Sequence, residues 1–422
     1  MSKRITFILL LFTSSLYSQN GWQQVSSLGS SMMSSVFFVT DSVGFAAGDK
    51  VGYTTNGGYN WVSNYSSPRK ISVHFVNPTT GWTCGITGSI QKTTNGGVSW
   101  VSQTSGVTDV LNGLFFVNEN TGWITGGDFS VEKLLKTTNG GANWFLQSTG
   151  TSQKLFDVFF VNENTGWVVG NASSQKIYKT TNGGTNWFNQ TSGSTPALYS
   201  VYFINENTGW ACGTYGSGVI IKTTNGGTSW TTQLTGWFGS GTGFFCIHFV
   251  NDSVGFASGG NGSNSGGIAA TTNGGLNWFA EAISGNPHVP GIFFRNALTG
   301  WAISGNGNIF KTTTGGMTFI SPISENVPSS FKLYQNYPNP FNPSTKIKFD
   351  IGTPLPPFSK GGTVTLKVFD ILGKEIVTLV NEQLSPGTYE VEWDASDYPS
   401  GVYFYKLFSA NYNLYKRMLI IK

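Results

Sequence analysis

The sequence predicts an all-β protein, a seven-bladed β-propeller followed by a small Ig-like β-sandwich, and three observations predict it. The stretch Lys179-Thr180-Thr181-Asn182-Gly183-Gly184-Thr185-Asn186-Trp187 recurs in near copies, with Thr180 matched by Thr54, Thr93, Thr137, Thr223, Thr271 and Thr312 at spacings of 39 to 48 residues. That is the period of a propeller blade. Aromatic residues make up 15% of the chain beside 56 glycines, a composition suited to many short strands joined by tight turns. After Ser321-Pro322 the period stops, and alternation such as Val364, Leu366, Val368 and Tyr389, Val391, Trp393 takes over. This is the pattern of a small antiparallel sandwich.

Each repeat reads as four strands, here called a to d. Strand a is innermost, as in Val158-Phe159-Phe160-Val161, and Asn162-Glu163-Asn164-Thr165-Gly166-Trp167 leads into strand b. Strand c runs through Ile177-Tyr178-Lys179-Thr180, Asn-Gly-Gly supplies the positive-φ positions of a reversal, and Trp187 opens strand d. Two sets of rings repeat: Phe45, Trp82, Trp123, Trp167, Trp210, Phe256 and Trp301 on strand b, and Trp61, Trp100, Trp144, Trp187, Trp230, Trp278 and Phe319 after the turn. Rings at such regular positions are expected to pack between adjacent sheets. An additional d-like strand, Gly21-Trp22-Gln23-Gln24-Val25, precedes the first repeat. It is expected to complete the outer edge of the last blade and close the ring.

The turn copies resemble the Asp-box, S/T-x-D-x-G-x-x-W, with asparagine (Asn56, Asn95, Asn139, Asn182, Asn225, Asn273) where that motif has aspartate, and Thr314 in the last copy. The unit as a whole resembles the photosystem II stability/assembly factor-like repeat over about residues 20–320. The resemblance implies the propeller fold and a structural role for the hairpin. The arginine-based recognition of a photosystem subunit found in those relatives is not implied, because the blades hold only Arg69 and Arg295.

Lys3 and Arg4, then the apolar run Ile5 to Phe12 and small residues through Ser18, read as a secretory signal over residues 1–18. Later in the chain no apolar run is long enough for a transmembrane helix. From Gln19 to Ser330 there are 12 basic and 12 acidic residues, so no basic footprint for nucleic acid is present. Three cysteines cannot form a disulfide framework, and Cys84 and Cys212 share one repeat position, as expected for buried thiols. His74 and His248 occupy a slot that holds Phe37, Phe115, Phe159, Tyr202 and Phe293 elsewhere, so they read as packed neutral rings and not as metal ligands. Neither a metal nor another cofactor is expected.

The propeller is assigned to residues 19–323, a linker to 324–330 and the tail domain to 331–422. The tail opens with Leu333-Tyr334-Gln335-Asn336-Tyr337-Pro338-Asn339-Pro340-Phe341-Asn342-Pro343 and continues through Val368-Phe369-Asp370-Ile371-Leu372-Gly373-Lys374-Glu375 and Ser400-Gly401-Val402-Tyr403. It resembles the type A C-terminal sorting domain of the type IX secretion system of Bacteroidetes and their relatives. That resemblance implies passage through the periplasm, the secretion machinery as a partner, and a secreted or outer-surface destination. A Pro/Gly-rich insertion, Gly352 to Gly362, separates the first two strands of the tail.

Strands that alternate in direction put the a–b and c–d connections on one face of the disk and the b–c and d–a connections on the other. The first face is nearly uniform; the second varies in length and residue type, and a ligand site is expected there. The candidates are Trp237 and Phe238 in the longest inter-blade connection, Tyr215 beside them, Phe129 and Asp128 in a b–c loop, and Arg69 in a d–a connection. No catalytic residue is assigned, since Asp109, Asp128, Glu132 and Asp157 form no recognisable pair and two blade arginines cannot make a sialidase clamp. The expected function is a secreted or surface binding protein for an extracellular glycan or protein. A glycoside hydrolase of the Asp-box type and a purely structural cargo domain are the alternatives.

Overall fold

A computed structural model describes residues 21–422 except 129, 172–176, 191–196, 216, 238–241, 262–264, 282, 284, 286, 317–320, 325–327, 353–362, 385, 396–397 and 410–411. The signal segment, Phe129, Phe238, Phe319 and most of the Pro/Gly insertion therefore lie outside the described residues. The chain forms two compact units, one starting at Gly21 and the other comprising the C-terminal part.

The first unit is seven four-stranded antiparallel sheets. Blade 4 is representative: strands a to d are Leu155–Phe160, Gly166–Gly170, Ile177–Thr180 and Phe188–Gln190, paired in that order. Blade 7 is assembled from both ends of the unit. Its strands are Gly291–Phe294, Gly300–Ile303, Asn308–Gly316 and, as strand d, the N-terminal Gly21–Ser27. The closing strand is thus the one expected from Trp22, and the seventh turn differs from expectation. Where the other six copies reverse, strand c of blade 7 continues through Thr312 to Gly316 and pairs Gly316 with Gly21. Thr314 replaces the turn asparagine, so the carboxamide that would hold the reversal is missing.

In the six regular turns, side chains supply the hydrogen bonds that hold the reversal. In blade 4 the Thr180 hydroxyl donates to Asn182 Oδ1 at 3.0 Å and accepts from Gly184 N at 2.8 Å, while Asn182 Oδ1 also accepts from Asn186 N at 2.9 Å. Gly183 and Gly184 have φ of 69° and 89°, a region costly for residues with a Cβ. The side chain at 182 is needed as an acceptor, which explains why asparagine serves where the Asp-box has aspartate.

The repeated rings form one continuous seam. Each strand-b ring stacks on the last phenylalanine of the next blade's strand a: Phe45 on Phe75, Trp82 on Phe116, Trp123 on Phe160, Trp167 on Phe203, Trp210 on Phe249, Phe256 on Phe294 and Trp301 on Phe38, at centroid distances of 3.4–3.7 Å. The turn tryptophans meet the same phenylalanines edge-on, as Trp187 meets Phe160 at 6.0 Å and 85°. In blade 7 that place is taken by Trp22, 5.5 Å from Phe294 at 89°. The glycine before each strand-b aromatic is required by this packing, since a Cβ on Gly166 would lie 2.5 Å from the Phe160 ring.

The second unit packs two four-stranded sheets around a shared core that includes Ile347, Phe349, Leu366, Trp393 and Tyr405. Ser321–Ser324, divided between propeller and linker by the sequence, pairs as a strand with Gly387–Asp394 of this unit. An open sheet edge recruits it, which local composition does not reveal. Buried Asn336 donates to Thr345 Oγ1 at 2.9 Å and to the Pro338 carbonyl at 3.1 Å, and Phe341 exchanges backbone bonds with Leu419 and Ile421. The proline-rich opening of the tail is thereby tied to its last strand.

Candidate functional site

Strand a begins at the variable face and descends along the axis. Its channel-facing residues, Phe37, His74, Phe115, Phe159, Tyr202, His248 and Phe293, form a closed ring with neighbouring centroids 4.7–5.1 Å apart. The axial cavity they line measures about 470 Å³. Burial pushes both His74 and His248 down to about 4, and neither Nδ1 has a hydrogen-bond partner. They are neutral packed rings, and among the described residues no cluster of histidine, cysteine and carboxylate could hold a metal.

Three residues earlier on each strand a, at the mouth of the channel, the repeat breaks down. Blades 1, 2 and 3 carry Ser34, Ile71 and Asn112, whereas blades 4, 5 and 6 carry Phe156, Tyr199 and Phe245. These three partly buried rings and His288, from the connection into blade 7, make an arc. Phe156 meets Tyr199 edge-on at 4.7 Å, Tyr199 lies nearly parallel to Phe245 at 5.0 Å and 22°, and Phe245 meets His288 edge-on at 5.1 Å. Lys154 extends its ammonium over the Phe156 ring, 5.3 Å from the centroid. Burial lowers its pKa, with Asp128 opposing, and among the described residues no carboxylate lies within ion-pair distance. The sequence reading missed this arc because three of its four rings sit inside strands. Comparing one register across all seven copies would have exposed the unlike residues.

The candidates read from sequence fare unevenly. Phe129 and Phe238 lie outside the described residues. Trp237 is not in a free loop: it ends strand d of blade 5, Thr231–Trp237, paired with Gly218. Tyr215 ends strand b of the same blade, paired with Ser217. Longer strands in blade 5 thus absorb residues that looked like connection. Asp128 is exposed and caps its own loop, accepting from Ser130 N at 2.8 Å, the main cause holding its carboxyl below the usual range. Arg69 donates to Ser34 Oγ at 2.7 Å and faces Asp49 at 3.7 Å.

The acids weighed for catalysis are structurally engaged. Asp109 pairs with Lys133 at 3.4 Å, and Glu132 accepts from Thr149 Oγ1 at 2.6 Å. Asp157 accepts from Val158 N and Val201 N at 2.9 and 3.0 Å, and burial raises it to about 6. Glu119, Glu163 and Glu206 accept from Asn77, Asn118 and Asn162 of the preceding blade at 2.6–2.9 Å. They brace neighbouring blades on the uniform face.

Fold and tail together define a propeller that carries an export domain. Residues 335–422 match the family described as the secretion system C-terminal sorting domain, and residues 142–328 match the family described as photosynthesis system II assembly factor YCF48. The chain is a seven-bladed propeller that resembles the assembly factor-like, Asp-box type over the matched residues, followed by a segment that matches the sorting domain, and that tail implies engagement with type IX secretion machinery and a secreted or outer-surface destination. Among solved structures it is similar to YCF48 bound to D1 peptide (17% identity, TM-score 0.56, covering 72% of this chain and 100% of that one). It is also similar to YCF48 from Cyanidioschyzon merolae (16%, TM-score 0.55, 69% and 98%) and to a GH74 enzyme from Niastella koreensis (15%, TM-score 0.54, 78% and 59%). No curated protein matches it in sequence. At these identities the structural likeness shows the fold alone, and the neighbours include both an enzyme and a peptide-bound propeller. Among the described residues no helix is long and apolar enough to cross a membrane.

Proposed function

We propose that the chain is a secreted or cell-surface recognition protein whose propeller holds an extracellular ligand at the variable mouth without chemical turnover. The observation that carries this reading is the arc of Phe156, Tyr199, Phe245 and His288. It interrupts the repeat at the variable end of the channel, and partly exposed aromatic side chains are common anchors of recognition sites. Partnered acids support binding over hydrolysis, since a hydrolase needs two carboxyls free to face a glycosidic bond.

The test is to probe the full chain against an array of glycans and extracellular proteins, and to repeat it with Tyr199→Ala/Phe245→Ala. Binding that the double variant loses while its thermal unfolding stays cooperative is the expected result. Release of reducing sugar from any bound polysaccharide would replace this reading with the hydrolase. Binding undiminished in the variant would move the ligand away from the mouth.

A further inference from the structure

The repeat also breaks at a second place on the variable face, in blade 2. The first paired residue of strand a, set opposite a strand-b glycine, is Met33, Leu111, Leu155, Leu198 and Phe244 in blades 1, 3, 4, 5 and 6, but Lys70 in blade 2. Lys70 is fully buried in this apolar slot. Its Nζ is hydrogen-bonded to the Pro68 carbonyl at 3.1 Å and to Ser89 Oγ. Among the described residues no carboxylate lies within ion-pair distance of it, since Asp49 faces Arg69 and Asp109 pairs with Lys133. Burial lowers the Lys70 pKa, opposed by Cys84, a thiol that burial itself keeps protonated. A lysine so placed gives up its proton more readily, and the free amine is a base.

Ser89 is half-buried and lines a cleft of about 740 Å³, together with Pro68, Gly106, Val107, Lys133 and Leu146 of blades 2 and 3. The turn that leads into it is strained. Thr87, with φ of 56°, is the one non-glycine residue of positive φ among the described residues. Backbone strain of this kind gathers at functional sites. Gly88 follows with φ of 67°, and a Cβ there would lie 1.8 Å from the Val107 carbonyl oxygen, so the turn is pressed against the cleft wall.

We infer that Ser89 and Lys70 form a nucleophile and base pair that cleaves carboxylic esters in this cleft. The Pro68 carbonyl accepts one amine proton, which leaves the lone pair of the neutral amine free for the Ser89 hydroxyl. Lys70 takes the Ser89 proton as Oγ bonds to the acyl carbon, the bond from that carbon to the alcohol oxygen breaks, and the alcohol leaves with the proton from Lys70. Water then attacks the acyl carbon and gives a proton to Lys70. The bond to Oγ breaks, the acid departs, and Ser89 recovers its proton from Lys70. Esters are favoured over amides because the N–H groups of Gly88 and Ser89 are already spent on the carbonyls of Asp109 and Ile86, at 2.8 and 3.2 Å. A missing oxyanion donor costs about 10²–10³ in rate, a loss that the better leaving group of an ester can absorb. The cleft is separate from the mouth and does not rest on it. Ester cleavage releases no reducing sugar, so the two readings fail by different results.

The probes are a fluorophosphonate and p-nitrophenyl acetate, each applied to the full chain. The fluorophosphonate should label Ser89, identified by mass spectrometry of the peptides, with fluoride displaced as the Oγ–P bond forms. Turnover of p-nitrophenyl acetate should rise with pH through an inflection below 10.5, the ordinary lysine value. Ser89→Ala and Lys70→Met should each lower turnover by at least about tenfold. Lys70→Met installs the side chain that blade 1 carries in this slot, so cooperative thermal unfolding should be retained. Lys70→Arg keeps a cation that does not deprotonate in this range, and it should be as inactive as Lys70→Met. Should either Lys70 variant misfold, labelling of Ser89 in the parent and the pH profile still decide. No label, a label on another residue, turnover unchanged in Ser89→Ala, or a Lys70→Arg variant as active as the parent overturns the pair.

Discussion

The two faces of the propeller are built from the same strands and use their polar residues in opposite ways. On the uniform face the repeated asparagine, threonine, glutamate and strand-b tryptophan side chains are spent on the fold. Asparagine and threonine hold the turns, strand-b tryptophan Nε1 groups of four blades donate to a turn carbonyl of the next blade at 3.1–3.2 Å, and Trp301 closes the circle onto Gly57 at 2.8 Å. Lysines of strand c lie over the same tryptophans at 4.9–5.3 Å, adding cation–π attraction. On the variable face the register that holds Ser34 and Asn112 elsewhere holds Phe156, Tyr199 and Phe245. Repetition therefore marks where stability is made, and departure from it is where the proposed ligand site lies.

The sharpest way to break the comparison is to remove a ring from the seam. Trp167→Ala deletes a fully buried ring stacked 3.5 Å from Phe203 and orphans the Gly226 carbonyl it bonds. A loss of about 3–5 kcal/mol is expected from denaturant unfolding, with ligand affinity unchanged in the population still folded. A loss below about 1 kcal/mol would show that the seam is not what holds the blades together.

Next in size is the channel ring. His74 is buried and neutral, with its pKa at about 4 against an ordinary 6.5. The unfolded chain therefore takes up a proton between those values that the folded chain does not. Its contribution is present above pH 6.5 and is lost as pH falls toward 4, by about 3 kcal/mol. Asp157, raised to about 6, works in the opposite direction, since stability from that carboxyl falls as pH rises from 3.8 to 6. His74→Phe, which places in blade 2 the residue blades 1, 3 and 4 already use, should flatten the loss on acidification. Parallel stability curves for variant and parent between pH 6.5 and 4 would refute the neutral-ring account.

The turns come third. Asn182 contributes an acceptor to Thr180 and to Asn186 N, so Asn182→Ala should cost about 1–2 kcal/mol. Asn182→Asp, which keeps the acceptor, should stay within about 0.5 kcal/mol of the parent in thermal unfolding. An aspartate variant as damaged as the alanine would mean that the amide protons, and not the oxygen, hold the turn.

Much of this architecture can be read from residues in order, and the reasons for the exceptions are physical. Blade number, the turn and the closing strand follow from local patterns, because each strand's partner is its neighbour in sequence or, for Trp22, an evident surplus. Phe319 is a reasonable seventh turn aromatic by spacing, yet Trp22 occupies that position against Phe294, a choice made by chain ends distant in sequence. Trp237 looks like loop because glycines flank it, and strand pairing with Gly218 claims it. The mouth is hidden because Phe156, Tyr199 and Phe245 are ordinary strand residues. Only the circular arrangement of seven strands makes them neighbours.

The smallest expected effect tests whether the uniform face is also chemically silent. Glu163 recurs at the position of Glu119 and Glu206, and its Oε1 accepts from Asn118 Nδ2 of the previous blade at 2.6 Å. It also lies near enough to Lys136 to oppose the lowering of that amine's pKa by burial. The pair is on the exposed rim, where such interactions are worth about 0.2–1 kcal/mol. Glu163→Gln keeps an oxygen acceptor for Asn118 and removes only the charge. Thermal unfolding should move by no more than about 0.5 kcal/mol equivalent, and binding at the mouth should not change at all. Glu163→Ala, which removes the acceptor as well, should cost up to about 1 kcal/mol. A Glu163→Gln variant that lost ligand binding, or that abolished a polysaccharide-cleaving activity of the parent, would place function on the face that repetition assigns to structure, and the division between the two faces would fail.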